Sequence, residues 1–372
     1  MRRTLTVRFA TIVFLAALAA NPAKAEPPSA DANPDTLFAP VYARLGITLP
    51  TNIAGDATVR PHLDELRREA CDRVGIIALA NALHKLGFRR EAAESLYRFV
   101  NSCGGPDNAL AMSTNIFLEL SDFAKATEAA DALVRAEPAS SQAVYLRARA
   151  LDQAGDHKRA LDDYATTIEL SAAKTNLSST VFTNMAKAYA TLGRFCEAMS
   201  PIQTWVAFDP AKRDTTPAQK LIADYASKGN CDVLQAKRPE RFPLMGQTNV
   251  VRVAAMINGT KGIFILDTGA SFVSVQSNFA RRAKLPMEGT SKVTLSTANG
   301  PTTGFLSKAD SIKLGGLSAT NIPVVVQSSD GKLYGTAADG LLGMSFLARF
   351  DVQIAHGYME VRPHAMNASS LH

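Results

Sequence analysis

The sequence is poor in several kinds of chemistry. It has one tryptophan and four cysteines, with no C-x-x-C pair among them. That spacing fits neither a zinc site nor a thioredoxin-like redox pair. His62, His84, His157, His356 and His364 are scattered and form no H-E-x-x-H or Ser–His arrangement. No metal or cofactor is therefore expected. No Lys/Arg-rich run carries interleaved aromatics, which argues against nucleic-acid binding.

There is one long apolar run, Phe9 to Ala20. Arg2, Arg3 and Arg8 precede it, and Ala23-Lys24-Ala25 follows as a small-x-small cleavage site. Residues 1–25 thus read as a secretory signal, too short to span a bilayer comfortably. Losing Arg2, Arg3, Arg8 and Lys24 takes the formal net charge from +6 to +2, so the whole-chain balance overstates basicity. The expected location is the periplasm, with no membrane anchor after signal removal. In an exported chain, an even count of Cys71, Cys103, Cys196 and Cys231 favours disulfides. Three connectivities are possible. Cys71–Cys103 with Cys196–Cys231 is preferred, because each pair then spans one local helical hairpin.

Residues 26–59, rich in Pro, Ala, Asp and Asn, read as a leader with a short helix around Asp35–Leu45. From 60 to 232 the chain repeats itself. Gly87-Phe-Arg-Arg-Glu-Ala92, Ser121-Asp-Phe-Ala-Lys-Ala126, Gly155-Asp-His-Lys-Arg-Ala160 and Gly193-Arg-Phe-Cys-Glu-Ala198 recur at spacings of 34, 34 and 38. The small first residue suits a tight interhelical turn, and the alanine suits a helix crossing that a larger side chain would force apart. Pro138 and Pro210 each fall 17 residues after a turn residue, where a second helix should stop. These stretches resemble tetratricopeptide or Sel1-type repeats, and a period of 34 favours the former. Three to four repeats are expected, with Thr216–Gly229 as a capping helix. The concave groove would hold a peptide or a partner protein, or the array would act as a spacer or dimerisation arm.

Helical periodicity stops near Asn230, and 233–242 reads as a linker. Residues 243–365 then alternate as short strands with turn signals, Asn258-Gly259 being the sharpest hairpin signal. The expected class is multidomain: all-α helical repeats followed by an all-β domain.

One motif there carries chemistry. The apolar strand Phe264-Ile265-Leu266 ends in Asp267-Thr268-Gly269-Ala270-Ser271. The strand would deliver a carboxylate to a cleft, and Gly269 would let backbone N–H groups turn toward it. About 70 residues later comes Asp339-Gly340-Leu341-Leu342-Gly343-Met344-Ser345-Phe346-Leu347. Between the two lies a hairpin tip, Ala298-Asn299-Gly300. With Leu314-Gly315-Gly316, these segments make residues 243–363 resemble the bacterial retropepsin-like aspartic peptidases. The resemblance implies a closed barrel-like protomer that becomes active as a homodimer. Asp267 of each chain would be catalytic and Thr268 would contact the opposite loop. Ala298, Asn299 and Gly300 would form the flap over a peptide or protein substrate, and Leu341-Leu342-Gly343 the second motif. The sequence has no second Asp-Thr/Ser-Gly triplet, and Asp339 is read as structural. Two features depart from viral retropepsins: Ser271 stands where they have Asp, and the flap tip has a single Gly. The expected activity is aspartic endopeptidase. The alternative is a non-catalytic peptide- or protein-binding scaffold with an inactive peptidase fold.

Overall fold

The computed structural model describes residues 34–105, 107–231, 235–236, 239–243, 251–287, 292–297, 300–328, 334, 338–355 and 357–363. The signal expected at 1–25 and the flap-tip residues Ala298 and Asn299 lie outside the described residues.

Helices α1 (Pro34–Leu45), α2 (Thr51–Ala54) and α3 (Arg60–Arg68) open the chain. From residue 34 onward the segment read as a leader is part of the helical core. Phe38, Val41, Leu45 and Leu49 are buried, and α1 packs on the first hairpin, in which Val41 and Leu45 join the same core as Leu96 and Phe99. Apolar spacing along α1 gives it a face to bury, which a solvated leader would lack.

Four antiparallel hairpins follow: α4 (Arg73–Lys85) with α5 (Arg89–Cys103), α6 (Asp107–Glu119) with α7 (Phe123–Ala136), α8 (Ser141–Gln153) with α9 (His157–Leu170), and α10 (Ser179–Thr191) with α11 (Phe195–Phe208). Their turn residues Gly87, Ser121, Gly155 and Gly193 all have left-handed φ, between +56° and +88°. Three are glycine because only glycine adopts that geometry without strain. Asp122 and Asp156 then cap α7 and α9, accepting from Lys125 N and Arg159 N. Ala92, Ala126, Ala160 and Ala198 are all fully buried at the helix crossings. The short α12 (Pro210–Arg213) and the capping α13 (Thr216–Gly229) close the array.

The two disulfides pair Cys71 with Cys103 and Cys196 with Cys231. The first staples the α4–α5 hairpin. The second ties the start of α11 to the chain beyond α13, so it joins the last repeat to its cap across α12. Replacing Cys71 and Cys103 together by serine is expected to cost about 3–4 kcal/mol, because a loop of 32 residues is no longer closed in the unfolded chain. A lower urea midpoint, with a steeper slope as the opened unfolded chain exposes more surface, checks this.

The all-β domain is built from β1 (Gln235–Ala236), β2 (Glu240–Pro243), β3 (Val251–Ile257), β4 (Thr260–Leu266), β5 (Val273–Val275), β6 (Lys292–Thr297), β7 (Gly300–Leu314), β8 (Leu317–Gln327), β9 (Gly340–Leu342), β10 (Phe350–Ala355) and β11 (Tyr358–Pro363), with α14 (Ser277–Arg282) and α15 (Met344–Leu347). The pairing β8-β5-β9-β4-β3-β7 returns to β8, so six strands close into a barrel. β6 hangs from β7 outside that ring. Along β3 burial alternates strictly, with Val251, Val253, Ala255 and Ile257 inward, as a half-buried strand requires. Phe264 meets Phe279 edge-to-face at 5.2 Å inside. The Asn258-Gly259 turn has left-handed φ at both residues, the geometry that a two-residue hairpin favours.

Two stretches of the segment read as a linker, 233–242, lie in sheets: β1 pairs with β8, and β2 pairs with β11. Edge strands of two and four residues, one ending in proline, are too short and polar to show a strand pattern. β7 runs for 15 residues. Its register against β8 runs from Gly304↔Gln327 to Leu314↔Leu317.

The domains are packed together. Ile168, Phe182 and Ile202 of the repeats share one apolar cluster with Phe272, Val293, Leu295, Leu306 and Val325 of the barrel. Ser200 Oγ donates to Ser345 O at 3.4 Å. Arg349, 4% exposed, donates to Thr320 O and Asn321 O and faces Glu197 of α11. Burial pulls the Arg349 guanidinium down to about 10.

Candidate active site

Asp267 stands one residue beyond β4. Its N–H donates to Leu342 O at 3.1 Å, continuing the parallel pairing of β4 with β9, in which Leu266 faces Leu342. Gly269 N–H donates to Asp267 Oδ1 at 2.8 Å, and Ala270 N–H donates to Asp267 O at 3.3 Å. The loop therefore turns back on its own carboxylate. Gly269 lacks a positive φ. A Cβ there would stand 3.1 Å from Asp267 Oδ1, a tight approach to the side chain that the loop positions. Asp267 is half-buried, and Thr268 and Gly269 are exposed. One carboxylate oxygen is thus tied to the backbone while the group keeps a face to solvent.

Gly343 follows β9 and leads into α15, close against the loop. A Cβ on it would lie 2.3 Å from Phe272 O and 2.7 Å from Ala270 O. Beyond it, α15 grips the same segment. Met344 N–H donates to Ala270 O at 2.8 Å and Ser345 N–H to Ser271 O at 2.9 Å. Ser345 Oγ accepts from Val273 N–H and donates to Pro323 O, both at 2.8 Å. The sequence pattern places Ser345 in the second motif but says nothing of this role. Asp339 faces away from the loop: its carboxylate accepts from Ile263 N–H at 2.9 Å and pairs with Arg282 at 2.9 Å. It locks β4 to the segment before β9.

The β6–β7 hairpin closes with Thr297 opposite Gly300, leaving a two-residue tip, 298–299. Gly300 has φ +100°, which only glycine adopts readily. The hairpin leans on α9, where Thr294 N–H donates to Thr166 Oγ1 at 3.1 Å.

The residue that sequence reasoning missed altogether is Glu169, in the last turn of α9. It is 7% exposed and lies near Lys174, Ser271 and Asp267. Burial raises its pKa, opposed chiefly by the Lys174 ammonium. Lys174 Nζ in turn donates to Ile168 O and Glu169 O at 2.5 and 2.9 Å. A carboxyl whose folded pKa is raised stabilises the fold fully below its unfolded value. That contribution declines as pH climbs toward the folded value. The stability of the wild-type chain is therefore expected to fall more steeply from acid to neutral pH than that of Glu169→Gln. Urea midpoints of both chains across that range check this.

A second buried cluster lies behind the loop. Tyr334 OH meets Ser274 Oγ at 2.5 Å and accepts from Gln327 Nε2, and burial pushes the phenol pKa upward. Among the described residues no three His, Cys, Asp or Glu side chains are grouped to hold a metal ion, and no helix is long and apolar enough to cross a membrane.

Residues 253–346 match the family model described as aspartyl protease. A search of curated proteins finds no match. Among solved structures, a retropepsin-like aspartic protease from Rickettsia conorii aligns at 23% identity, covering 35% of this chain and 91% of its own, with a TM-score of 0.28. A tetratricopeptide protein of Thermus thermophilus aligns at 17% identity over 53% of this chain and 97% of its own, with a TM-score of 0.32. YrrB, described as a TPR protein with an unusual peptide-binding site, aligns at 12% identity over 51% and 97%, with a TM-score of 0.37. The chain joins an all-α array of helical hairpins to an all-β barrel domain that matches the aspartyl-protease family model over residues 253–346.

Proposed function

We propose that the chain is an aspartic endopeptidase whose active site forms when two copies bring their Asp267 loops together. The observation that carries this reading is the single Asp267 carboxylate, held by Gly269 N–H on a turn at the end of a barrel strand and open on one face. The sequence has no second Asp-Thr/Ser-Gly triplet. Two carboxylates share one proton in such a site, since two like charges at that distance do not both ionise. One takes a proton from the attacking water while the other donates to the carbonyl oxygen, and they exchange roles as the amine leaves. The exposed Thr268 would meet the opposite loop, and the hairpin bearing Ala298, Asn299 and Gly300 would close over the substrate. The repeat groove would bind substrate or a partner protein. The two disulfides and the N-terminal pattern fit an exported, periplasmic protein.

The test is cleavage of unfolded casein from acidic to neutral pH by the wild-type chain and by Asp267→Asn, with light scattering to follow the dimer. Cleavage by wild type alone is expected. Inertness of both where scattering shows a dimer would instead favour a binding scaffold.

A further inference from the structure

We propose that Ser345 is a positioning residue for the Asp267 loop: its N–H and its hydroxyl together fix the chain on both sides of Phe272, where the loop runs into β5. The proposal rests on the peptidase reading above only where it speaks of catalysis; the contacts stand without it. Ser345 lies on α15 and is 1% exposed. Its N–H donates to Ser271 O at 2.9 Å. Its Oγ accepts from Val273 N–H and donates to Pro323 O, both at 2.8 Å. One hydroxyl serves both, since it carries a proton to give and lone pairs to receive. β5 and β8 pair in parallel from Val273↔Val324, so Pro323 stands one residue before that register. The hydroxyl therefore bridges the two strands at the first residue of β5, at the point where the loop ends.

Val273 is fully buried and Pro323 is buried beside it. Alanine at position 345 would leave a buried N–H and a buried carbonyl without their partner, which folded interiors avoid. Relief requires the 271–273 backbone to move. Upstream, that segment is joined to Asp267 by close contacts: Ala270 O accepts from Met344 N–H, and Ala270 N–H donates to Asp267 O. A shift at 271–273 thus passes to the turn whose Gly269 N–H orients the carboxylate. Leu342 O, bonded to Asp267 N–H, holds the upstream end of the loop, and Ser345 holds the downstream end. α15 also meets the repeats, where Ser345 O accepts from Ser200 Oγ at 3.4 Å. That contact is longer and engages the carbonyl, so a change at Ser200 separates domain docking from loop positioning.

The experiment uses the full chain as wild type, Ser345→Ala, Ser345→Thr, Ser200→Ala and Leu314→Ala. Leu314 is fully buried at the other end of the barrel: its neighbour Lys313 pairs with Met256, whereas Asp267 follows Leu266, which pairs with Val251. Hydrogen exchange at the Val273 amide is followed beside kcat and KM on casein. Ser345→Ala is expected to speed that exchange by about tenfold or more, the effect of losing a buried acceptor. It should lower kcat per folded chain by about ten- to a hundredfold with KM little changed, as for a reacting group held slightly out of place. Ser345→Thr keeps the hydroxyl and should keep both. Leu314→Ala should melt at lower temperature yet leave the Val273 amide and kcat as in wild type, and Ser200→Ala should leave both unchanged. Wild-type protection of Val273 in Ser345→Ala overturns the proposal, and so does lost protection with kcat unchanged. Equal loss of protection in Leu314→Ala would reduce the effect to general destabilisation, and in Ser200→Ala to domain docking; either overturns it, as does a folded Ser345→Thr that exchanges like Ser345→Ala. If Ser345→Ala does not fold, Ser345→Cys, whose thiol is a weaker donor and acceptor, carries the test, and unchanged exchange there overturns the proposal. If wild type cleaves nothing, the peptidase reading fails while the exchange data still decide whether Ser345 holds the loop.

Discussion

Mixed with an equal amount of Asp267→Asn chains and allowed to re-equilibrate, the wild-type protein is expected to retain about a quarter of the activity shown by the same total amount of wild type, the share of random pairs holding two native chains. Alone, Asp267→Asn should lose about a thousandfold or more of kcat, since an amide supplies neither the base nor the shared proton of a carboxylate pair. The quarter is the informative figure. A site complete within one chain would keep half the activity, because each wild-type chain would work whatever it paired with. The substitution is nearly isosteric, and the asparagine oxygen still accepts from Gly269 N–H, so the loop should keep its shape. Dilution gives an independent check. Specific activity should fall once the chain is diluted below its dimer dissociation constant, because the populated monomer holds only one Asp267.

What could be read from the sequence follows a simple division. The Asp267 loop, the Asn258-Gly259 turn and the repeat turns were legible because each is specified within a few residues. A left-handed φ asks for glycine or asparagine, and a helix crossing asks for alanine, as at Ala126 and Ala160. The strands β1 and β2 were not legible. Their partners, β8 and β11, lie more than 75 residues away, and nothing in Glu240-Arg241-Phe242-Pro243 alternates strongly enough to announce a sheet edge. Glu169 was less legible still. A single Glu between Ile168 and Leu170 reads as the wet face of an amphipathic helix, and only the docking of α9 on the barrel turns that face inward. The sequence thus shows the Asp267 loop, but not which helix of the repeats lies near it.

Gly343 shows how sharply the loop's position is set by backbone contact. Gly343→Ala is expected to cost about 1–3 kcal/mol or more of stability and to disable the site disproportionately. The added methyl would arrive 2.3 Å from Phe272 O and 2.7 Å from Ala270 O, and neither neighbour is a side chain that could rotate away. Relief requires the 270–272 backbone to move off β9. That movement would strain Met344 N–H to Ala270 O and Ser345 N–H to Ser271 O. It would also shift the turn whose Gly269 N–H orients Asp267. Gly340→Ala, where a Cβ would meet Ser274 O at 2.1 Å, provides the comparison, since it wedges apart the same two strands at a position farther from the loop. Both variants should melt at lower temperature. If kcat per folded dimer falls much further in Gly343→Ala than in Gly340→Ala, the loss belongs to the geometry of the Asp267 loop. Equal losses would trace it to the barrel as a whole.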